Sequence, residues 1–438
     1  MASKWKRFAL SGGVFFDTSL VVSMPNKQQI SKLKTNHLIQ TAGFLVFSLT
    51  VALLPGSVFG LGIALPDQDA FATARGNAFV ATADDPAAVF YNPAGISQLE
   101  GMNMSIGAYG IVYGSTFKGD GTSINSKTQL EVLPQVFSSV SIPKYHLTLG
   151  LGTYSPYGLR YEWPASAPFV GAGETGQINY YTVNPVIAYQ ICSTLSIAAG
   201  PTLNYSEADL KEYPSVVLGP GYPALSFVNH FRGRDIDVGY NGGILWHPWV
   251  QHSFGVTYRS ATDMNYEGHA TIPPTSTSTS AQANFHFPQT VDFGYSFRPT
   301  EKWNIEADAV WSDWSTLKTV TVNPLGPSGD VLPFNWKPSW MLDFGVTRYL
   351  GEGWRLSAGY MYSMNTVPSA NFNPLVPDSD RDIFSVGVGK KYKRFSWDAA
   401  YQLAWGPPRS VSGDSFPPAD GSYEFLSHAL TINFGYRF

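Results

Sequence analysis

The chain has 438 residues, of which 14% are charged and 15% aromatic, with a formal net charge of −4. Soluble domains carry about 25% charged residues, a mean hydropathy of −0.07 is too polar for a bundle of membrane helices, and the charge balance gives no reason to invoke nucleic acid. The single Cys192 rules out an internal disulfide and a cysteine-based metal cluster. Few charges, many aromatics and neutral hydropathy fit a transmembrane β-barrel, in which lipid-facing and lumen-facing residues cancel in the average.

In chain order, the first predicted element is an export signal. Lys27, Lys32 and Lys34 precede an apolar run from Leu38 to Leu54, which Pro55-Gly56-Ser57 breaks. A basic flank, a short apolar core and a small-residue exit make a secretory signal. Cleavage is expected after Gly60, with Met24 as an alternative start, so residues 1–60 are read as extension plus signal. The alternative is an uncleaved membrane anchor.

Residues 61–101 follow. Small residues dominate them (Ala70, Ala72, Ala74, Gly76, Ala78, Ala81, Ala83) and lead into Asp84-Asp85-Pro86 and Asn92-Pro93-Ala94-Gly95. Backbone this irregular survives at membrane depth only when protein encloses it or it lines a wet cavity. The segment is therefore expected either as a hatch folded inside the barrel or as a periplasmic tail leading into the first strand. As a hatch, it would be anchored by Asp84 and Asp85 to lumen-facing cations. Pro86 and Pro93 fix φ, so its movement would concentrate at Gly95 and the small residues before it.

From residue 102 to 438 the hydrophobic period is two. Phe395, Trp397, Ala399, Tyr401, Leu403 and Trp405 form one face against Ser396, Asp398, Ala400 and Gln402. The same alternation runs through Val291–Arg298, Trp303–Trp311 and Trp354–Tyr362. Charges on the second face are tolerable if that face meets a polar or protein-filled lumen. Short turns, as at Pro143-Lys144, His247-Pro248-Trp249 and Gly351-Glu352-Gly353, alternate with long segments near 114–127, 156–177, 208–233, 262–282, 315–335, 364–381 and 406–423. Seven long loops imply seven hairpins, hence about 14 antiparallel strands with both ends in the periplasm. Trp249, Trp303, Trp336 and Trp354 are placed in the interfacial girdles. The terminal strand alternates and ends on Phe438, as outer-membrane barrels handled by the assembly machinery commonly do.

Ala74-Arg75-Gly76, Ala83-Asp84-Asp85 and Asn92-Pro93-Ala94, placed between a signal and a barrel of this length, resemble the long-chain fatty-acid outer-membrane transporter (FadL) family, which also includes porters for aromatic hydrocarbons. The resemblance covers residues 61–438. It implies a fourteen-stranded barrel plugged by an N-terminal hatch. It also implies a third strand that kinks inward and opens the wall, so that substrate leaves sideways into the bilayer. Ser155, Tyr157 and Gly158 resemble that kink; Pro156, standing where a polar residue is expected, removes a ladder donor, and Gly158 permits a bulge.

The function expected is passive uptake of a hydrophobic small molecule through the outer membrane of a Gram-negative bacterium. Long-chain fatty acid comes first and monoaromatic hydrocarbon is the alternative. Capture falls to apolar loop residues, Tyr161, Trp163 and Phe169 in one loop and Tyr213, Leu218 and Phe227 in the next. The gate comprises Asp84, Asp85, Asn92, Pro93, Ala94 and Gly95, and the lateral opening Ser155, Pro156, Tyr157 and Gly158. Arg160, Lys211, Arg232 and Arg234 are candidates for a substrate carboxylate or for lipopolysaccharide at the rim. A monomer in outer-membrane lipid, with no catalytic residue, metal or cofactor, is expected. The rivals are a general porin with an open polar lumen, and a barrel-embedded lipid hydrolase, for which the scattered histidines offer no nucleophile spacing.

Overall fold

A computed structural model of the chain describes residues 62–438, apart from 213–214, 217–224, 227–228, 273–276 and 324–329. The signal and its cleavage site, and the capture candidates Tyr213, Leu218 and Phe227, lie outside the described residues.

The period-two segments form a closed antiparallel barrel of 14 strands. They are β1 (Met102–Gly119), β2 (Gln129–Ile142), β3 (Leu147–Tyr154, continued by Gly158–Glu162), β4 (Thr175–Cys192), β5 (Leu195–Glu212) and β6 (Asn229–Trp249). There follow β7 (His252–Arg259, continued by Thr262–Ile272), β8 (Thr277–Phe287, continued by Thr290–Thr300), β9 (Trp303–Ser312), β10 (Ser339–Tyr349) and β11 (Trp354–Ser363). The last three are β12 (Arg381–Tyr392), β13 (Phe395–Trp405) and β14 (Gly421–Arg437). Neighbours in sequence pair around the ring, and β14 closes on β1 from Asn103↔Arg437 to Lys118↔Ser422. Closure removes the unpaired edges that lipid does not tolerate.

The alternation sets the two faces. Ile236, Val238, Phe384, Val386, Leu430 and Phe434 are exposed on the outside, whereas Asn304, Glu306, Asp308, Asp343 and Asn433 are buried in the lumen. Trp249 and Trp303 stand exposed near the short-turn rim. Trp336 does not join that girdle. It is 3% exposed and packs inside against Trp314, with ring centroids 4.9 Å apart; an aromatic near a strand end is apolar enough for either face.

Several expected loops are strands. The stretch 262–282 is a hairpin continuing β7 and β8, paired from Thr262↔Phe287 to Ile272↔Thr277. Its outward residues Asp263, Asn265, Glu267 and His269 are polar because they stand beyond the acyl layer, which masked the alternation of the buried Met264, Tyr266 and Ala270 beneath them. His247-Pro248-Trp249 likewise ends β6 at a bulge and is not itself the turn.

Residues 62–101 lie inside this barrel. They hold two short helices, α1 (Ala70–Ala74) and α2 (Ala88–Tyr91), and a 3₁₀ turn over Pro93–Gln98. Small side chains let this segment press on glycines of the wall. A Cβ on Gly359 would stand 2.0 Å from Gly76 N, and one on Gly255 2.2 Å from Val80 O.

Candidate functional site

The hatch must satisfy its irregular backbone without a ladder of its own, and the lumen-facing side of β9 does much of this. Asp308 Oδ2 accepts the amides of Phe79 (2.7 Å) and Val80 (2.9 Å), and Glu306 Oε1 accepts those of Ala81 (2.7 Å) and Thr82 (3.1 Å). Glu306 Oε2 also meets Arg75 Nη2 at 3.1 Å, with both side chains fully buried. Asp69 caps α1 by accepting from Phe71 N at 2.7 Å and Ala72 N at 3.2 Å.

The expected gate residues fall within this assembly. Asp84 pairs with Arg298 at 3.0 Å. Asp85 accepts the Ala87 amide at 2.8 Å, an N-terminal contact within the hatch. Asn92 is fully buried; its Nδ2 donates to Val80 O (2.8 Å) and Ile244 O (3.0 Å), and its Oδ1 accepts Ala94 N at 3.2 Å. Pro93 opens the 3₁₀ turn and Ala94 is buried in it. A Cβ on Gly95 would come within 2.3 Å of Ala83 O. That glycine permits close packing, in a region held by many bonds.

The wall breaks in β3. Pairing with β4 runs to Tyr154↔Thr182 and resumes at Gly158↔Asn179, so Ser155, Pro156 and Tyr157 face only Tyr180 and Tyr181. One extra residue on one strand is a β-bulge, which bends the strand that carries it. On the other side, β2 pairs with β3 only from Val136↔Thr153 to Ile142↔Leu147. Between Gln129–Gln135 and Gly158–Glu162 no ladder forms, and side chains span the gap: Arg160 Nη1 meets Glu131 at 3.0 Å, and Tyr113 Oη donates to Arg160 O at 2.6 Å.

The start of the hatch lies behind this break and completes its hydrogen bonding. Ala64 bridges Tyr157, with Leu65 N donating to Pro156 O (2.8 Å) and Gly158 N to Ile63 O (3.0 Å). Gln68 Nε2 donates to Ser155 O at 2.8 Å.

Two clefts adjoin the break on its long-loop side. The first is lined by Ile63, Tyr113, Leu133, Tyr157, Tyr161 and Arg381 among others, and reaches Tyr181 on the outer surface. The second is lined mainly by apolar side chains, including Phe231, Tyr266, Phe285, Phe334 and Leu375. Ile63, Leu159, Ile178 and Val376 belong to both, so the two are contiguous.

Of the described capture candidates, Tyr161 lines the first cleft. Trp163 and Phe169 are fully buried and line neither cleft. They build an aromatic cap with Phe117, Phe372 and Tyr423, and Trp163 Nε1 donates to Pro374 O at 2.8 Å. Burial of the large rings outweighs the exposure expected of loop residues. The expected cations are tied up at the surface: Arg160 to Glu131, Lys211 to Glu174 and Arg232 to Asp209. Sequence reasoning missed Arg381, which begins β12 and stacks over Phe425 at 3.8 Å. It also missed Gln68. The inward parity of Arg381 with Ile383 was readable; nothing local marked Gln68.

The model of a family described as outer membrane protein transport protein (OMPP1/FadL/TodX) matches residues 51–438. The chain is 22% identical over 442 residues to the long-chain fatty acid transport protein of Escherichia coli K12, covering 89% of this chain and 96% of that one. Among solved structures it is similar to a Pseudomonas aeruginosa FadL homologue, with a TM-score of 0.79, 17% identity and coverage of 86% and 100%. It is also similar to the Pseudomonas putida toluene transporter TodX, with a TM-score of 0.69, 15% identity and coverage of 87% and 100%.

Proposed function

The chain belongs to the outer membrane protein transport family (OMPP1/FadL/TodX), and on that premise we propose that it takes up hydrophobic compounds passively and releases them sideways through the break in β3. The observation that carries this reading is the contiguity of an apolar cleft with a cleft that reaches the outer surface of the wall at Tyr181.

A hydrophobe reaching the cell from outside meets the polar outer leaflet first and the aqueous periplasm second. Capture in the apolar cleft offsets desolvation of the first barrier at about 0.8 kcal/mol per buried CH₂. Lateral exit avoids the second. Directly below the clefts, the hatch closes the vertical route. Residues 75–82 are fixed by Glu306 and Asp308, so the moving part is the leading segment 62–68, which lies across the exit. The cargo class follows the curated relatives, fatty acids first, with the aromatic hydrocarbons of the toluene transporters as the second reading. Hatch boundaries at 61 and 101, a signal ending at Gly60, a monomeric state, lipopolysaccharide around the long-loop rim and delivery by the barrel assembly machinery complete the proposal. So does the absence of catalysis: the protein works as a conduit, with no group transferred.

Proteoliposome assays test this. The expected outcome is uptake of a labelled hydrophobe with no swelling in arabinose. Rapid sugar-driven swelling would establish a general porin instead.

A further inference from the structure

We propose that the short-turn rim of β10–β13 is a seat for an anionic phospholipid of the membrane's inner leaflet. Barrels of this kind turn their short connections to the periplasm. From the end of β10 to the end of β14 that rim gathers Arg348, Lys390, Lys391, Lys393, Arg394 and Arg437. Among the described residues none of these six forms an ion pair. Glu352 and the Phe438 carboxylate share the sector, and Arg355 and Asp398 neutralise each other in the lumen, so a net positive charge remains. The short turns on the other side, at 143–146, 192–194 and 249–252, carry Lys144 as their one Lys or Arg.

Strand pairing fixes where two of these cations point. Arg348 stands opposite Trp303, with its guanidinium 4.6 Å from the ring centroid. Lys390 shares the outward face of β12 with the exposed Phe384 and Val386, and its cross-strand partners are Trp354 and Trp397. Its Nζ lies 4.5 Å from the Trp354 ring, and the two indoles meet edge to face with centroids 5.8 Å apart. Tryptophan on the outer wall near a strand end sits at headgroup depth, so flanking rings hold Lys390 in the headgroup layer. Lys393 and Arg394 form the turn just beyond it. An acidic periplasmic protein would reach the turn but not an ammonium set between lipid-facing indoles. A lipid phosphate at that depth meets both. The next outward row, Leu356, Val388 and Ala399, is apolar, and the small Ala399 leaves a shallow path for an acyl chain. This seat lies on the wall away from the break in β3 and is independent of the cargo.

The test is native mass spectrometry of the purified full-length barrel in detergent, offered equimolar phosphatidylglycerol and phosphatidylethanolamine with the same acyl chains, and lipid A in a parallel experiment. Each cation near an anionic headgroup is worth about fivefold in binding, so phosphatidylglycerol should be retained at least fivefold over phosphatidylethanolamine. The triple variant Lys390→Gln, Lys393→Asn, Arg394→Gln should bring the two lipids close to parity with lipid A retention unchanged. Asparagine suits position 393, where φ is 53°. Lys144→Gln, on the opposite side of the rim, should leave the preference intact. Equal retention of the two phospholipids by the unaltered protein would overturn the seat and leave the rim to an acidic periplasmic protein; that comparison needs no variant. A preference that survives the triple variant, or that Lys144→Gln reduces as much, would overturn it too. Loss of lipid A in place of phosphatidylglycerol would assign these cations to lipopolysaccharide instead.

Discussion

The side-chain amide of Gln68 pairs with both backbone polar groups of Ser155: Nε2 donates to the Ser155 carbonyl at 2.8 Å, and Oε1 accepts the Ser155 N–H at 3.4 Å. A side chain thus stands in for the strand that β3 lacks at its bulge. Leu65 and Ile63 do the same for Pro156 and Gly158. On the proposed route, opening the wall and displacing the hatch segment 62–68 form one event, because these hydrogen bonds join the two backbones.

Gln68→Leu keeps the volume and removes both bonds to Ser155, together with the one from Nε2 to Leu65 O at 2.7 Å. Leaving buried partners unsatisfied costs roughly 1–3 kcal/mol. Hydrogen exchange of peptides spanning 62–68 and 155–158 should accelerate together, with the heat-modifiable mobility of the barrel unchanged. Acceleration in one segment alone would separate the two motions.

The fixed part of the hatch depends on β9. Glu306→Ala strips four hatch contacts, to Arg75, Ala81 N, Thr82 N and the Thr82 hydroxyl, and strands a buried guanidinium. Removing one partner of a buried pair costs roughly 3–5 kcal/mol. The barrel should still assemble, but planar-bilayer conductance should rise as the plug loosens. Asp308→Ala should act in the same direction and less strongly, since two amides lose one acceptor.

A Cβ on Gly359 would stand 2.0 Å from Gly76 N, so Gly359→Val should expel the hatch from its seat. Protease cleavage within residues 70–82 should appear in the folded barrel. Continued protection would mean that the strand shifts to make room.

Much of this architecture was legible in the sequence because a barrel repeats its signal. Lipid-facing Phe395, Tyr401 and Trp405 against lumen-facing Asp398 and Gln402 mark face and period from local pattern alone, and the alternation of short turns with long loops marks the strand count. Asp308 and Glu306 were legible as lumen-facing, but their partners are hatch amides more than 220 positions away, a pairing that no local pattern encodes. The polar hairpin over 262–287 read as a loop because its outer residues meet water and headgroups in place of acyl chains. Ser155–Gly158 stood out through its resemblance to the kinked third strand of the family, with which the proline and glycine chemistry agrees. Gln68, which completes that break, was not, since a glutamine among small residues has no distinguishing context.

Outer-loop order should depend on pH. Asp380 accepts the Asn365 amide at 3.0 Å, and partial burial first and Asp378 second raise its carboxyl to about 6. An acid whose folded value lies above its unfolded value of 3.8 favours the folded loop most at low pH, and that contribution is lost as pH rises through about 6. Exchange protection of residues 364–380, corrected for intrinsic rate, should fall between pH 4 and pH 7. Asp380→Asn should flatten the profile.

The most direct measurement locks the exit. Ala64 and Tyr157 are antiparallel bridge partners lying between the bonds of Leu65 to Pro156 and Gly158 to Ile63. Non-hydrogen-bonded pairs of this kind hold their Cα atoms about 4.5 Å apart, within disulfide reach. With the exposed Cys192 replaced by serine, the double variant Ala64→Cys, Tyr157→Cys can be oxidised and reduced in proteoliposomes. Hydrophobe uptake should fall at least tenfold on oxidation and return on reduction. Uptake that is the same in both states, with the disulfide verified by mass spectrometry, would contradict lateral release through this break.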